Sequence, residues 1–187
     1  MIKSGILSED SVVQGIFFKK GTVLGFDENG KLWRCRISGT TVINEQHCMA
    51  GSEVEFYPEG NLLSFITASE TKLGGIYAAA ESLVMLHPNG SVFKCDISRG
   101  TVVDGYPVLA GKDVCFFENG RLSAFYLSED LLIDGVLCPE GSRVWLRKNG
   151  RFSACTAGHD VEIQDVHYKT GELIVLREDG TLVHLSP

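Results

Sequence analysis

The residues of this chain that could do chemistry are its six cysteines, its five histidines and a set of paired carboxylates. Cys35, Cys95 and Cys155 recur at an interval of sixty residues, and Cys48 and Cys138 at ninety. Cysteines and histidines that hold a metal crowd at short spacings such as Cys-x-x-Cys, and no such spacing occurs here. The cysteines instead share sequence columns with apolar residues. Cys35, Cys95 and Cys155 align with Phe65, Phe125 and Leu185, Cys48 and Cys138 with Phe18, Val108 and Tyr168, and Cys115 with Met85, Trp145 and Val175, though also with Gly25 and Glu55. A small buried hydrophobe explains that pattern. If units two apart stack, Cys35, Cys95 and Cys155 form a ladder, and a disulfide in it requires close Cα atoms.

The histidines are His47, His87, His159, His167 and His184, none at ligand spacing with a partner. His159 and Asp160, followed by Glu162 and Asp165, read as a solvated turn. A hydrolase would need His47 and Glu45 to converge with another titratable group, and no G-x-S-x-G elbow supplies a nucleophile. Gly74-Gly75 lacks the Lys-Ser/Thr of a phosphate loop. The pairs Glu9-Asp10 and Glu129-Asp130 recur at one turn, which marks Asp and Ser bonding their own backbone rather than catalysis or calcium. No catalytic residue, metal or cofactor is expected. The candidate binding residues are aromatics at variable positions of the repeat: Tyr57, Tyr77, Phe117, Trp145 and Tyr168.

The elements that position these residues come from a repeat. Gly stands at 30, 60, 90, 120, 150 and 180, closing the phrases DENG, YPEG, HPNG, FENG, RKNG and REDG. A second landmark is Gly21, Gly51, Gly111, Gly141 and Gly171, broken by Glu81. A third is Gly15, Gly75, Gly105 and Gly135, broken by Glu45 and Asp165. Asn-Gly between apolar runs predicts a two-residue type I′ hairpin turn, with Glu59-Gly60 a poor fit that calls for a wider or differently typed loop. That loop pairs Phe26 with Trp33, Leu24 with Cys35, Phe56 with Leu63, Val54 with Phe65, Leu86 with Phe93, Val84 with Cys95, Val114 with Phe125, Val144 with Cys155 and Ile174 with Leu185. All are apolar, so one face of every hairpin is buried.

Each unit reads as four short strands, with a helical turn admissible only at 78–82. The chain is thus one all-β domain, 1–187, of six tandem 30-residue units (1–30, 31–60, 61–90, 91–120, 121–150 and 151–180) with a closing strand at 181–187. Residues 5–10 resemble 125–130, so an extra first strand caps the stack. The expected architecture is an open repeat stack, solenoid or sandwich-like, and the alternative is a closed six-fold propeller-like ring. The likeness of residues 31–38 to 91–98 predicts that successive hairpins alternate between two sheets.

The phrase LSED…I-DG…AG…V-F-ENG-L, best matched by residues 126–130, 133–135 and 114–122, resembles a class of bacterial tandem β-hairpin repeat proteins, mostly of unassigned function. The resemblance spans essentially the whole chain. It implies the fold and a bacterial source, and no catalytic residues. The Asn-Gly hairpin is also similar to that of MORN-type repeats, but those are shorter and carry a Tyr/Trp-Gly signature absent here.

Composition narrows the function classes. The chain is 44% hydrophobic and 22% charged with net charge -7, so its field repels phosphate backbones and nucleic acid is excluded. No apolar run is long enough for a membrane span. The start has no signal-peptide core, so the cytoplasm is the default location, and export stays open if a leader has been removed. The sequence therefore predicts a non-enzymatic scaffold binding a protein or glycan. The alternative is a structural protein self-assembling into a homo-oligomer through its terminal strands, and a hydrolase near His47 and Glu45 is the remote one.

Overall fold

The computed structural model describes residues 3–163 and 165–183, and among them there is no helix. Contacts divide the chain, read as one domain from sequence, into two compact units, 1–98 and 99–187. Both are built from two kinds of hairpin that alternate along the chain.

In the unit 1–98 the strands Lys3–Ile6, Val23–Phe26, Leu32–Arg36, Glu53–Phe56, Leu62–Ile66, Leu83–Leu86 and Val92–Asp96 add one beside the next in an antiparallel sheet. In the unit 99–187 the sheet strands are Asp113–Phe116, Leu122–Tyr126, Arg143–Leu146, Phe152–Thr156 and Leu173–Val175. Between successive sheet hairpins lies a two-stranded ribbon, such as Ser11–Val13 with Ile16–Phe18 or Leu131–Ile133 with Val136–Cys138. Neither sheet closes on itself. The fold is the open, all-β repeat stack, not the closed ring. The cap expected at the start is present, because Lys3–Ile6 pairs with Val23–Phe26.

One face of each sheet is greasy. Leu24, Cys35, Val54, Phe65, Val84 and Cys95 are neighbours across the first sheet and each is at most 3% exposed. Val114, Phe125, Val144, Cys155 and Ile174 play that part in the second. A two-stranded ribbon is marginal alone, and the ribbons bury Phe18, Ile43, Cys48, Leu73, Ile76 and Ala78 in one unit and Val108, Ile133, Val136, Cys138, Ile163 and Tyr168 in the other. Backbone bonds knit the layers: Met49 N–H donates to Ile66 O at 2.8 Å and Ala68 N–H to His47 O at 2.9 Å.

Several sequence expectations are corrected. Successive Asn-Gly hairpins do not alternate between two sheets. Within each unit they are neighbours in one sheet, and the alternation is between sheet hairpin and ribbon within each repeat. Cys35 and Cys95 form no ladder, because their strands stand four apart in the sheet, about 19 Å at the usual strand spacing. Residues 78–82 end a ribbon and turn, with no helical turn.

The turn types are exchanged. At Asn-Gly only the glycine is left-handed (Gly30 φ 79°, Gly90 φ 83°, Gly120 φ 79°, Gly150 φ 85°). Gly30 N–H donates to Asp27 O at 3.1 Å and Asp27 N–H to Lys31 O at 2.8 Å. That is a type I turn followed by a left-handed residue, a three-residue loop. Asparagine is there because its side-chain oxygen accepts the amide two residues on, as Asn149 Oδ1 does from Arg151 N–H at 3.0 Å. Position 59 needs no positive φ, so Glu59-Gly60 makes this same three-residue loop, wider and differently typed than a type I′ turn as expected there, and it is the Asn-Gly sites that depart from the two-residue expectation.

Register follows from this. Phe26 faces Leu32, not Trp33, and Leu86 faces Val92, not Phe93. Phe56 likewise faces Leu62, not Leu63. The extra loop residue shifts the pairing one way and a bulge at residue 33, 63, 93, 123 or 153 shifts it back. The inner pairs Leu24 with Cys35 and Val144 with Cys155 therefore stand as read. Leu185 and His184 lie outside the described residues.

Candidate interaction surface

The type I′ turns belong to the ribbons. Gln14 (φ 49°) with Gly15 (φ 81°), Asn44 with Glu45, Asp104 with Gly105, and Asp134 with Gly135 are left-handed at both central positions. A two-residue loop leaves no slack in register. The pair next to the turn faces the sheet, the next pair faces outward, and the third faces the sheet again. Each ribbon therefore presents one outward cross-strand pair.

In the unit 1–98 these pairs are Val12 with Phe17, Val42 with His47, and Lys72 with Tyr77. In the unit 99–187 they are Val102 with Pro107, Leu132 with Leu137, and Glu162 with His167. Val12, Val102 and Leu132 are 67%, 69% and 67% exposed, and Phe17, Val42 and Leu137 are 50%, 54% and 46% exposed. Consecutive ribbons sit two sheet strands apart, so the pairs repeat about every 10 Å within a unit. Polar groups engage several of the pairs: Lys72 Nζ lies 5.9 Å over the ring of its partner Tyr77, His167 Nδ1 lies 3.4 Å from Glu162 Oε2, and the neighbouring Lys19 Nζ stands 5.1 Å over the Phe17 ring.

The ribbons are aimed by side chains of the turn. Asp104 and Asp134 accept the amides of Leu122 and Phe152, each at 2.9 Å, and Gln14 accepts that of Leu32 at 3.2 Å. Those amides sit beside the bulges, so one turn residue orients the ribbon and satisfies a donor that the bulge frees. At the far end Asp10 accepts Lys20 N–H at 2.8 Å, Asp130 that of Glu140 at 2.7 Å and Asp160 that of Thr170 at 2.8 Å. The Thr170 amide, with Lys169 and the Thr170 hydroxyl, pulls the Asp160 carboxyl down to about 2. The recurring acidic residues are turn chemistry, as read from sequence.

Of the five aromatics singled out by sequence, only Tyr77 lies on this surface. Tyr168 is 7% exposed and belongs to the core, in the column of Phe18. Tyr57 opens a sheet hairpin and its hydroxyl donates to Leu86 O at 2.8 Å, tying one repeat to the next. Phe117 opens the equivalent hairpin and is half-buried. Trp145 lies on the opposite face of its sheet, between Ala124 and Ala154. Arg143 stands 5.4 Å over its ring and 5.2 Å over Tyr126, and pairs with Asp113 at 2.8 Å. Burial lowers the Arg143 pKa, but the Tyr126 hydrogen bond and the Asp113 carboxylate outweigh it and raise the value. A guanidinium therefore covers one face of the Trp145 ring.

Sequence reasoning missed Val12, Phe17, Val42, Val102, Leu132 and Leu137. For all but Val42 the signal was present: the pairing logic used at Asn-Gly, applied to the Gln-Gly and Asp-Gly turns, marks them as outward and apolar. His47 is one of the outward pairs, and Glu45 occupies the left-handed turn position (φ 67°) beside it. Among the described residues no three of His, Cys, Asp and Glu gather as metal ligands would. Compared with families of known proteins, with curated proteins and with solved structures, the chain matches none.

Proposed function

We propose that the chain is a non-enzymatic interaction scaffold whose ribbon faces hold a protein partner. The observation that carries this reading is the periodic set of exposed apolar cross-strand pairs on the ribbons, Val12/Phe17, Val102/Pro107 and Leu132/Leu137 above all. A soluble surface that keeps such side chains uncovered in register forgoes roughly 1–2 kcal/mol for each one that a partner would cover. The net charge of -7 and the exposed Glu9, Glu45, Glu129 and Asp165 around the ribbons favour an apolar surface with a basic rim. The covered face of Trp145 argues for a protein over a glycan.

A photo-activatable benzoylphenylalanine placed at position 132 in the cell of origin tests the proposal. One discrete protein adduct is expected, lost with Leu137→Asp and not formed from position 173 on the other side of the same unit's sheet. Equal adducts from positions 132 and 173, or glycan binding abolished by Trp145→Ala, would overturn it.

The second reading is self-assembly by edge-strand pairing. Lys3–Ile6 has one ladder partner among the described residues, and Ile6 is 72% exposed. Light scattering over a concentration series decides this: association abolished by Ser4→Pro supports it, and a concentration-independent monomer removes it.

A further inference from the structure

The buried thiols of Cys138 and Cys155 are used by nothing described so far. Cys138 ends the ribbon strand Val136–Cys138, and Cys155 lies in the sheet strand Phe152–Thr156. Both are wholly buried, and their sulfurs are 3.3 Å apart. The equivalent positions elsewhere hold Phe18 and Cys35, Cys48 and Phe65, Ala78 and Cys95, Val108 and Phe125. Each of those pairs sets a thiol or a small side chain against a partner that is not a thiol. Here two thiols face each other across the layers.

We infer that Cys138 and Cys155 are a preorganised dithiol that closes into an intramolecular disulfide, locking this ribbon to its sheet. The sulfurs need to approach from 3.3 Å to about 2.05 Å. The oxidant is a low-molecular-weight disulfide such as oxidised glutathione. The thiolate of one cysteine attacks it, a bond to one glutathione sulfur forms and the glutathione S–S bond breaks, expelling one glutathione thiolate. The second cysteine's thiolate then attacks the protein sulfur of that mixed disulfide and expels the other. The two protein protons end on the two glutathiones, which are the reduced products, and the protein dithiol is what is oxidised. The hydrogen bond with Cys138, together with burial, pushes the Cys155 thiol up, so the exchange starts from the protein with this ribbon lifted. A ribbon of two three-residue strands is the element that lifts most easily.

The test treats the intact chain with oxidised glutathione at mildly alkaline pH, in urea below the unfolding midpoint. Two of the six thiols should disappear with no glutathione retained, peptide mapping should recover a Cys138–Cys155 link, and the thermal midpoint should rise by about 5–10 °C and fall back with dithiothreitol. Cys138→Val, which places in that column the residue found at Val108, should fold normally and lose the cross-link and the shift. Cys155→Ala should do likewise. A glutathione held at either cysteine, a link between other cysteines, or six thiols that all stay reduced would each overturn the inference.

Discussion

Glu81 is the position where the repeat breaks its own backbone rule, and replacing it should stabilise the protein. Its φ is 56°, while the equivalent Gly21, Gly51, Gly111, Gly141 and Gly171 have φ of 86°, 79°, 71°, 78° and 86°. At Gly51, Gly111, Gly141 and Gly171 an added Cβ would meet nothing within 4 Å, so crowding is not the issue and the cost lies in the backbone. An L-residue in the left-handed region costs about 1–2 kcal/mol. Glycine gives back about 0.5–1 kcal/mol through the larger entropy of its unfolded chain. Glu81→Gly should therefore gain about 0.5–1 kcal/mol, or about 2–6 °C if the unit 1–98 unfolds by itself. The turn bond, Glu81 N–H to Thr67 O at 3.0 Å, does not depend on the side chain and is retained. Gly51→Glu should lose a similar amount. Urea and thermal unfolding followed by circular dichroism read both, and Glu81→Gln controls for charge. If Glu81→Gln stabilises as much as Glu81→Gly, or if Gly51→Glu is neutral, backbone strain is not the cause and the reasoning fails.

Three further outcomes follow from the core and the turns. Thr67 is wholly buried, donates to Ala79 O at 2.6 Å and accepts Ser82 N–H at 3.1 Å. Thr67→Val should thus cost about 1–3 kcal/mol in urea unfolding, because the Ser82 amide is left without its acceptor, while Ala79 O keeps the Ser82 hydroxyl at 3.1 Å. Of the six thiols, Cys115 alone is not fully buried, and burial pushes Cys35 and Cys48 up to about 12; a colorimetric thiol reagent should modify one cysteine quickly in the native protein and all six in denaturant. Asp160 titrates below its unfolded value, so it adds stability above about pH 4 that is lost as pH falls toward its folded value of about 2. Asp160→Asn should flatten the stability profile across that window, and an unchanged profile would show that the Thr170 contact is not formed in solution.

The wrong turn assignments and the missed surface have one origin. Asn-Gly suggests a left-handed pair because both residue types tolerate positive φ, yet Asn89, Asn119 and Asn149 serve through their side-chain oxygens. Tolerance of a conformation does not select it; the bulge one residue beyond Leu32 does, by absorbing the odd residue of a three-residue loop. The tight two-residue loops belong to the ribbons, so it is along the ribbons that strict alternation sorts side chains outward. That alternation turns Val12, Val102 and Leu132 outward and Tyr168 into the core.

From its residues alone the chain specifies an all-β repeat of four strands per thirty residues, a buried apolar side on each sheet hairpin, and carboxylates that close turns. Those features depend on local spacing and on which side chains avoid water, and both are written linearly. The tertiary structure alone decided the division at Ser98 and Arg99, the exchange of turn types, the outward pairs on the ribbons and the meeting of Cys138 with Cys155. Each of these depends on how ribbon and sheet dock, and docking is set by packing between segments that no local period relates.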